Sequence, residues 1–190
     1  MEFFFWIGSW ISIHSFKQIS LKKKDLWIDV VFVLITFLQC LFVSKTTWWF
    51  SQAFLTFLYA LFLKDFYTYY LSWKWCIPSF ALILLWMFVL DKPLSLWGAL
   101  LYGIPSTGIH LWHKDWIGIA DVFYLYYFGA VLGIERMMVA CFTAVLTAII
   151  FSFISKKKMV PFLSFLSIGI LISYWKGYTI WTMIQTFFYR

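Results

Sequence analysis

The chain has 190 residues, of which 64% are hydrophobic and only 12% charged, whereas a soluble domain carries roughly 25% charged residues. That excess of apolar side chains excludes a soluble globular protein and points to a chain that crosses a membrane several times. The net charge of +7 is spread as punctuation between apolar runs, which excludes a nucleic-acid surface and fits membrane topology.

A span needs about 20 apolar residues, fewer where the bilayer thins. The first expected span covers residues 3–16. Glu2 is the only charge before it, so it reads as a retained span and not as a signal peptide, which would open on a basic region. Residues 17–25 follow, with Lys22, Lys23 and Lys24 consecutive. The second span covers 26–43 and carries Asp29 near its start. After Lys45 a third runs to Leu63 and is closed by Lys64 and Asp65, and residues 66–72 form an aromatic and polar connector. The fourth covers 73–90, with Pro78 near its first turn, where the missing amide hydrogen is tolerated. Asp91, Lys92 and Pro93 make a tight break. The fifth span ends at about Trp112, and Gly103, Pro105 and Gly108 predict an irregular helix.

His113, Lys114 and Asp115 precede the sixth span, at 116–134. Glu135 and Arg136 separate it from the seventh, at 137–155, which Lys156, Lys157 and Lys158 end. The eighth covers 160–175, with Pro161 at its start. An aromatic tail follows Lys176 and Gly177, lying in the interface or forming part of a ninth segment. The expected fold is therefore one all-α domain over 1–190, a polytopic membrane bundle of about eight helices. With 13 Trp, 11 Tyr and 23 Phe, the short spans have material for interfacial belts. Cys40, Cys76 and Cys141 are isolated, and no Cys-x-x-Cys occurs, so neither a zinc site nor a disulfide framework is expected.

Orientation follows from the cations. With the 17–25 loop in the cytoplasm, the inside set is Lys17, Lys22, Lys23, Lys24, Lys64, Lys74, Lys114, Lys156, Lys157 and Lys158. The outside set is Lys45, Lys92, Arg136, Lys176 and Arg190. Ten against five supports this choice. It places Asp65, at the end of an inward span, and Asp121, in the first turns of an outward span, at one depth on the cytoplasmic boundary. An acid at the mouth of an apolar segment is costly and suggests function. Two carboxylates that meet there share one proton. Such a pair hydrolyses amides without metal or cofactor: one takes a proton from water and the other protonates the carbonyl oxygen. Gly118 and Ala120 keep the approach to Asp121 open.

Acids at helix boundaries also serve as topology charges or favour the helix dipole. Asp91 falls outside, Asp115 sits beside Lys114, and Asp29 is the competing inside acid. His110 and His113 lie on the same side as Asp121 and read as interfacial polar residues or as a proton shuttle. His14 reads as structural. The Lys156–Lys158 run reads as a topology anchor on anionic lipid.

Three motifs resemble the type IV prepilin peptidases, the bacterial branch of the GxGD intramembrane aspartic proteases, and the short competence-type leader peptidases in particular. Gly118, Asp121, Gly129, Leu132 and Gly133 follow the second aspartate motif. Asp65, Leu71 and Pro78 follow the first. Lys156, Lys157 and Lys158 before Pro161-Phe162-Leu163-Ser164-Phe165 follow the third, a basic run ahead of Pro-Phe-x-x-Phe. The resemblance covers most of residues 60–175. It implies a catalytic Asp65–Asp121 pair cutting prepilin or pseudopilin leaders at the cytoplasmic face of a bacterial cell membrane. The implied partners are that substrate and the bilayer, without nucleic acid or cofactor. The chain departs from the family at Ala120, where a second Gly belongs, at Phe123, in place of a Lys, and at Ser72 and Trp73, in place of Pro-Asp. Its first cytoplasmic loop also lacks the cysteine pairs tied to zinc and N-methylation, which implies a peptidase without the methylating part. The departures keep open a non-proteolytic relative acting as an assembly scaffold. A transporter with acids in a proton path would place acids deeper and on both sides of the midplane.

Overall fold

The computed structural model describes residues 48–155 and 160–188, together with Leu34. The expected first and second spans, the 17–25 loop, His14, Asp29, Cys40, Lys45 and the Lys156–Lys158 run lie outside the described residues, apart from Leu34. The described part is helical throughout, with no strand among the described residues. Its elements are α1 (Trp48–Thr68), a 3-10 turn (Trp73–Trp75), α2 (Cys76–Leu90), α3 (Leu96–Trp112), α4 (Ile119–Ser155) and α5 (Phe162–Phe188). By length and composition α4 is apolar enough to cross a membrane, while the apolar stretch Cys76–Phe88 of α2 is shorter.

α4 is helical on both sides of Gly133, whose φ of 78° and ψ of 179° break the helix. At 1.5 Å per residue, a straight helix would hold residues 121 and 151 about 45 Å apart. Yet Phe151 packs its ring 5.8 Å from that of Phe66, and Asp121 lies within electrostatic reach of Asp65, the residue before it. The end of α4 therefore packs on the turn of α1 that its start lies within electrostatic reach of, and the chain reverses at Gly133. A positive φ costs an L residue about 1–2 kcal/mol, and glycine escapes that cost.

The reversal strands backbone carbonyls inside an apolar bundle, where each must find a donor. Ser95 N–H donates to the Ala130 carbonyl at 2.8 Å. Tyr102 Oη donates to Ile134 O at 2.8 Å, and Ser173 Oγ to Arg136 O. Ser95 also caps α3, accepting from Gly98 N–H at 3.0 Å. Below the reversal α3 and the first half of α4 cross backbone to backbone. A Cβ on Gly129 would stand 2.5 Å from the Gly98 carbonyl oxygen, and one on Gly98 would fall on the Gly129 carbonyl. Between apolar helices in lipid, such close approach supplies dispersion that water exclusion cannot.

The second half of α4 pairs with α5, and α5 runs antiparallel to α1. Ser51 Oγ and Tyr174 Oη hydrogen-bond at 2.7 Å at one end, and Asp65 meets Ser164 at the other. Between them the core is aromatic. Phe54 packs edge-on to Phe128 at 6.3 Å, and Phe57 lies 6.3 Å from Tyr124. Tyr124, Phe128, Met137 and Leu166 are fully buried. Tyr124 ties α2 to this core, donating to Trp75 O at 3.1 Å and meeting Ser79 Oγ at 3.1 Å.

Four boundaries differ from expectation. α1 runs past Asp65 to Thr68, because Phe66 stacks on Phe62 at 5.4 Å and packs on Phe151. The left-handed Tyr69 (φ 52°) follows the helix. The break after the sixth expected span falls at Gly133 and not at Glu135-Arg136, because only Gly133 accepts the required φ. α4 begins at Ile119 and not at Trp116, since Gly118 opens it. α5 continues through Lys176 and Gly177 to Phe188, so the aromatic tail is no separate segment: Gly177 is buried against Ser173 and Arg136, and the Arg136 guanidinium lies 4.1 Å over the Tyr178 ring. Pro105 is accommodated inside the continuous helix α3.

The glycines separate by environment. Gly129→Ala overpacks the α3–α4 crossing and should cost about 1–3 kcal/mol. Gly108→Ala meets nothing within 4 Å on an exposed helix face and should be neutral or stabilising by up to about 1 kcal/mol. Thermal unfolding of the two variants in detergent checks this ordering.

Candidate active site

α5 starts at Phe162, directly after Pro161. The first amide hydrogens of a helix need acceptors from outside it, and proline has no side-chain oxygen to supply one. Asp65 of α1 supplies it. Its Oδ2 accepts from Ser164 N–H at 2.8 Å and lies 3.0 Å from Ser164 Oγ, and the Leu163 amide also bonds to it. The carboxylate is buried, with 7% of its surface exposed. The cost of burying a charge is offset in part by a helix N-terminus that collects donors and the positive end of the helix dipole.

Asp121 sits in the first turn of α4, three residues after Gly118. Its Oδ2 accepts from Gly118 N–H at 3.1 Å. This is the reciprocal half of a capping box, in which the third helical residue reaches back to the amide at the helix start. Gly118 is exposed and a Cβ there would stand 3.3 Å from Asp121 Oδ2, tighter than most such contacts. The Ala120 methyl packs against the core.

Two carboxylates therefore stand at two helix N-termini, those of α4 and α5, and within electrostatic reach of each other. The loop that brings in Asp121 is fastened by His110, whose Nδ1 lies 2.7 Å from Ile117 O. His113 stacks between Trp112 and Trp116, at 5.7 and 4.6 Å. Leu71 packs on the core near this end, and Phe123 stands edge-on to Phe80 at 6.0 Å. Asp91 and Asp115 are exposed, and Asp91 adopts a left-handed conformation (φ 47°) at the C-cap of α2. Among the described residues, no three His, Cys, Asp or Glu side chains gather as a metal site.

Ser164 was not singled out by its sequence. The signal was present: a helix opened by proline leaves its second and third amides without a local cap, so a partner must come from another element.

The family model of the type IV leader peptidase family matches residues 52–153, more than half of the chain, and the chain belongs to that family. The match spans Asp65 and Asp121. No curated protein and no solved structure matches the chain.

The capping geometry separates charge from shape at Asp65. Asp65→Ala removes the acceptor for α5 and should cost about 0.5–2 kcal/mol, as other cap deletions do. Asp65→Asn keeps an oxygen for the Ser164 amide and should lose clearly less. Thermal unfolding of both variants, compared with wild type in the same detergent, reads the difference.

Proposed function

We propose that this type IV leader peptidase is an intramembrane aspartic endopeptidase that cuts the leader of prepilins or competence pseudopilins, with Asp65 and Asp121 as its catalytic pair. The observation that carries this reading is that the fold brings the two acids to one end of the bundle. They are 56 residues apart in sequence, on different helices, and stand within electrostatic reach at one end of the bundle. Each is also held by the amides of a helix N-terminus.

In this mechanism the pair holds one proton between its two carboxyl groups. The charged member draws a proton from a water molecule as that water attacks the scissile carbonyl. The protonated member gives its proton to the carbonyl oxygen. The donors around Asp65 (the amides of Leu163 and Ser164 and the Ser164 hydroxyl) outnumber the one at Asp121, so the negative charge rests better on Asp65. Neither metal nor cofactor enters these steps.

The proposed setting is a bacterial cell membrane crossed by about eight helices. The described helices, with α4 counted as two, supply six, and the apolar runs of the sequence at 3–16 and 26–43 are the expected others. α2, α3 and the first half of α4 would each span only about 21–26 Å at 1.5 Å per residue, which suits a locally thinned bilayer. The cation count turns the aspartate end toward the cytoplasm, where a prepilin leader meets its apolar helix. The short loop at 17–25 has no cysteine pairs, so methyl transfer is not part of the proposed activity.

A second reading has a specific observation behind it. Both aspartates already act as helix caps, and Ala120, Phe123, Ser72 and Trp73 depart from the family's motifs, so the acids of a non-proteolytic scaffold would look the same. Cleavage of a co-expressed prepilin by wild type, Asp65→Asn, Asp121→Asn and Asp29→Asn separates the two. The expected result is processing by wild type and Asp29→Asn and none by the other two, all four being folded. Loss of processing in a folded Asp29→Asn shows that the pair is misassigned. Absence of processing by the wild type on its cognate pilin favours the scaffold. Methylation of the mature pilin N-terminus by the purified protein overturns the claim of a peptidase alone.

A further inference from the structure

Ser164 is fully buried and its hydroxyl stands between two acceptors. Oγ lies 3.0 Å from Asp65 Oδ2 and 3.1 Å from the Phe62 carbonyl oxygen. A serine hydroxyl has one proton and two lone pairs, so it serves only one of these acceptors at a time. The alternative it chooses depends on Asp65. When Asp65 is charged, the hydroxyl proton belongs on the carboxylate, where a charge-assisted bond is the stronger of the two. When Oδ2 carries a proton, that proton needs an acceptor, and Oγ provides one once its own proton has turned to Phe62 O. No heavy atom moves between the two arrangements.

We infer that Ser164 is a positioning residue for the aspartate pair, holding Asp65 Oδ2 fixed in both protonation states by turning its hydroxyl between Asp65 and the Phe62 carbonyl. This rests on the reading of Asp65 and Asp121 as the catalytic pair. In general acid–base catalysis, each carboxyl group is charged at one stage and protonated at another. A residue that only donates would hold one state and release the other. The Ser164 amide is such a donor, and the hydroxyl supplies the reversibility. Asp121 is the ionisable neighbour contributed by α4, Lys64 precedes Asp65 on α1, and α5 presents Leu163 and Ser164 there.

The test uses the full-length enzyme in detergent or nanodiscs, a prepilin substrate, and the variants Ser164→Ala, Ser164→Cys and Asp65→Asn. Ser164→Ala keeps the amide bond and removes the hydroxyl. Its kcat should fall about tenfold or more, the worth of a hydrogen bond to a charged group, with KM unchanged because the buried side chain touches no substrate. The acidic limb of its pH–rate profile should move to higher pH, since the charged carboxylate loses a donor. Ser164→Cys keeps the shape with a weaker donor and should fall between wild type and Ser164→Ala. Wild-type kcat and an unmoved acidic limb in both Ser164 variants, beside an inactive Asp65→Asn, overturn this inference alone. So does a loss confined to folded yield, with kcat per folded enzyme unchanged. Cleavage by Asp65→Asn, or no cleavage by the wild type, overturns the catalytic reading and this inference with it.

Discussion

The contact between Asp65 and the start of α5 is the constraint on which the described structure turns. A carboxylate inside an apolar bundle is costly unless donors surround it. A helix start inside the same bundle is costly unless something accepts its free amides. Asp65 and the Leu163–Ser164 amides reduce both costs in one contact, because Pro161 cannot supply the cap. This fixes the end of α1 against the beginning of α5, so the antiparallel α1–α5 pair is pinned at one end by Asp65 and at the other by Ser51 and Tyr174.

Gly133 sets the second constraint. The reversal there brings the beginning and the end of α4 to the same turn of α1, so Asp121 approaches Asp65 while Phe151 packs on Phe66. Satisfying the carbonyls around the turn draws in Ser95, Tyr102 and Ser173 from three directions. The pair of acids therefore depends on a turn some 18 Å away, at 1.5 Å per residue for twelve residues. Between the turn and the acids, Tyr124, Tyr127 and Phe128 form a rigid aromatic layer with Phe54 and Phe57. Large rings with few rotatable bonds transmit the geometry of the turn to the site at small entropic cost.

The two acids of the candidate site stand at helix starts. Asp121 answers the amide of Gly118 and Asp65 answers those of α5, so each acid does structural duty at a helix start. Conservative changes at either position therefore bear on activity and stability differently, and a loss of cleavage has meaning only when folding is measured beside it. Membership of the type IV leader peptidase family gives the reaction class. The geometry at the two helix starts gives a physical account of how Asp65 and Asp121 hold the fold.

Much of this was legible in the sequence. Apolar run lengths and their charged punctuation gave the helical class and most helix positions, because a membrane requires long internally bonded segments. The spacing of Asp65, Asp121 and the Pro161 motif carried the family resemblance. What failed were the ends. Charges at Lys64–Asp65, Glu135–Arg136 and Lys176 read as breaks, but a helix ends where its backbone turns, and that was decided by Tyr69 and Gly133 and, at Lys176, by packing that carried the helix onward. The role of Ser164 was hidden because its partner lies 99 residues away. The sequence by itself determined that the chain is apolar and that its described part is helical, since composition and local pattern suffice for that. Only the tertiary structure decided which acids meet and what holds them, since a carboxylate's neighbours come from helices whose approach is set by packing and not by order along the chain.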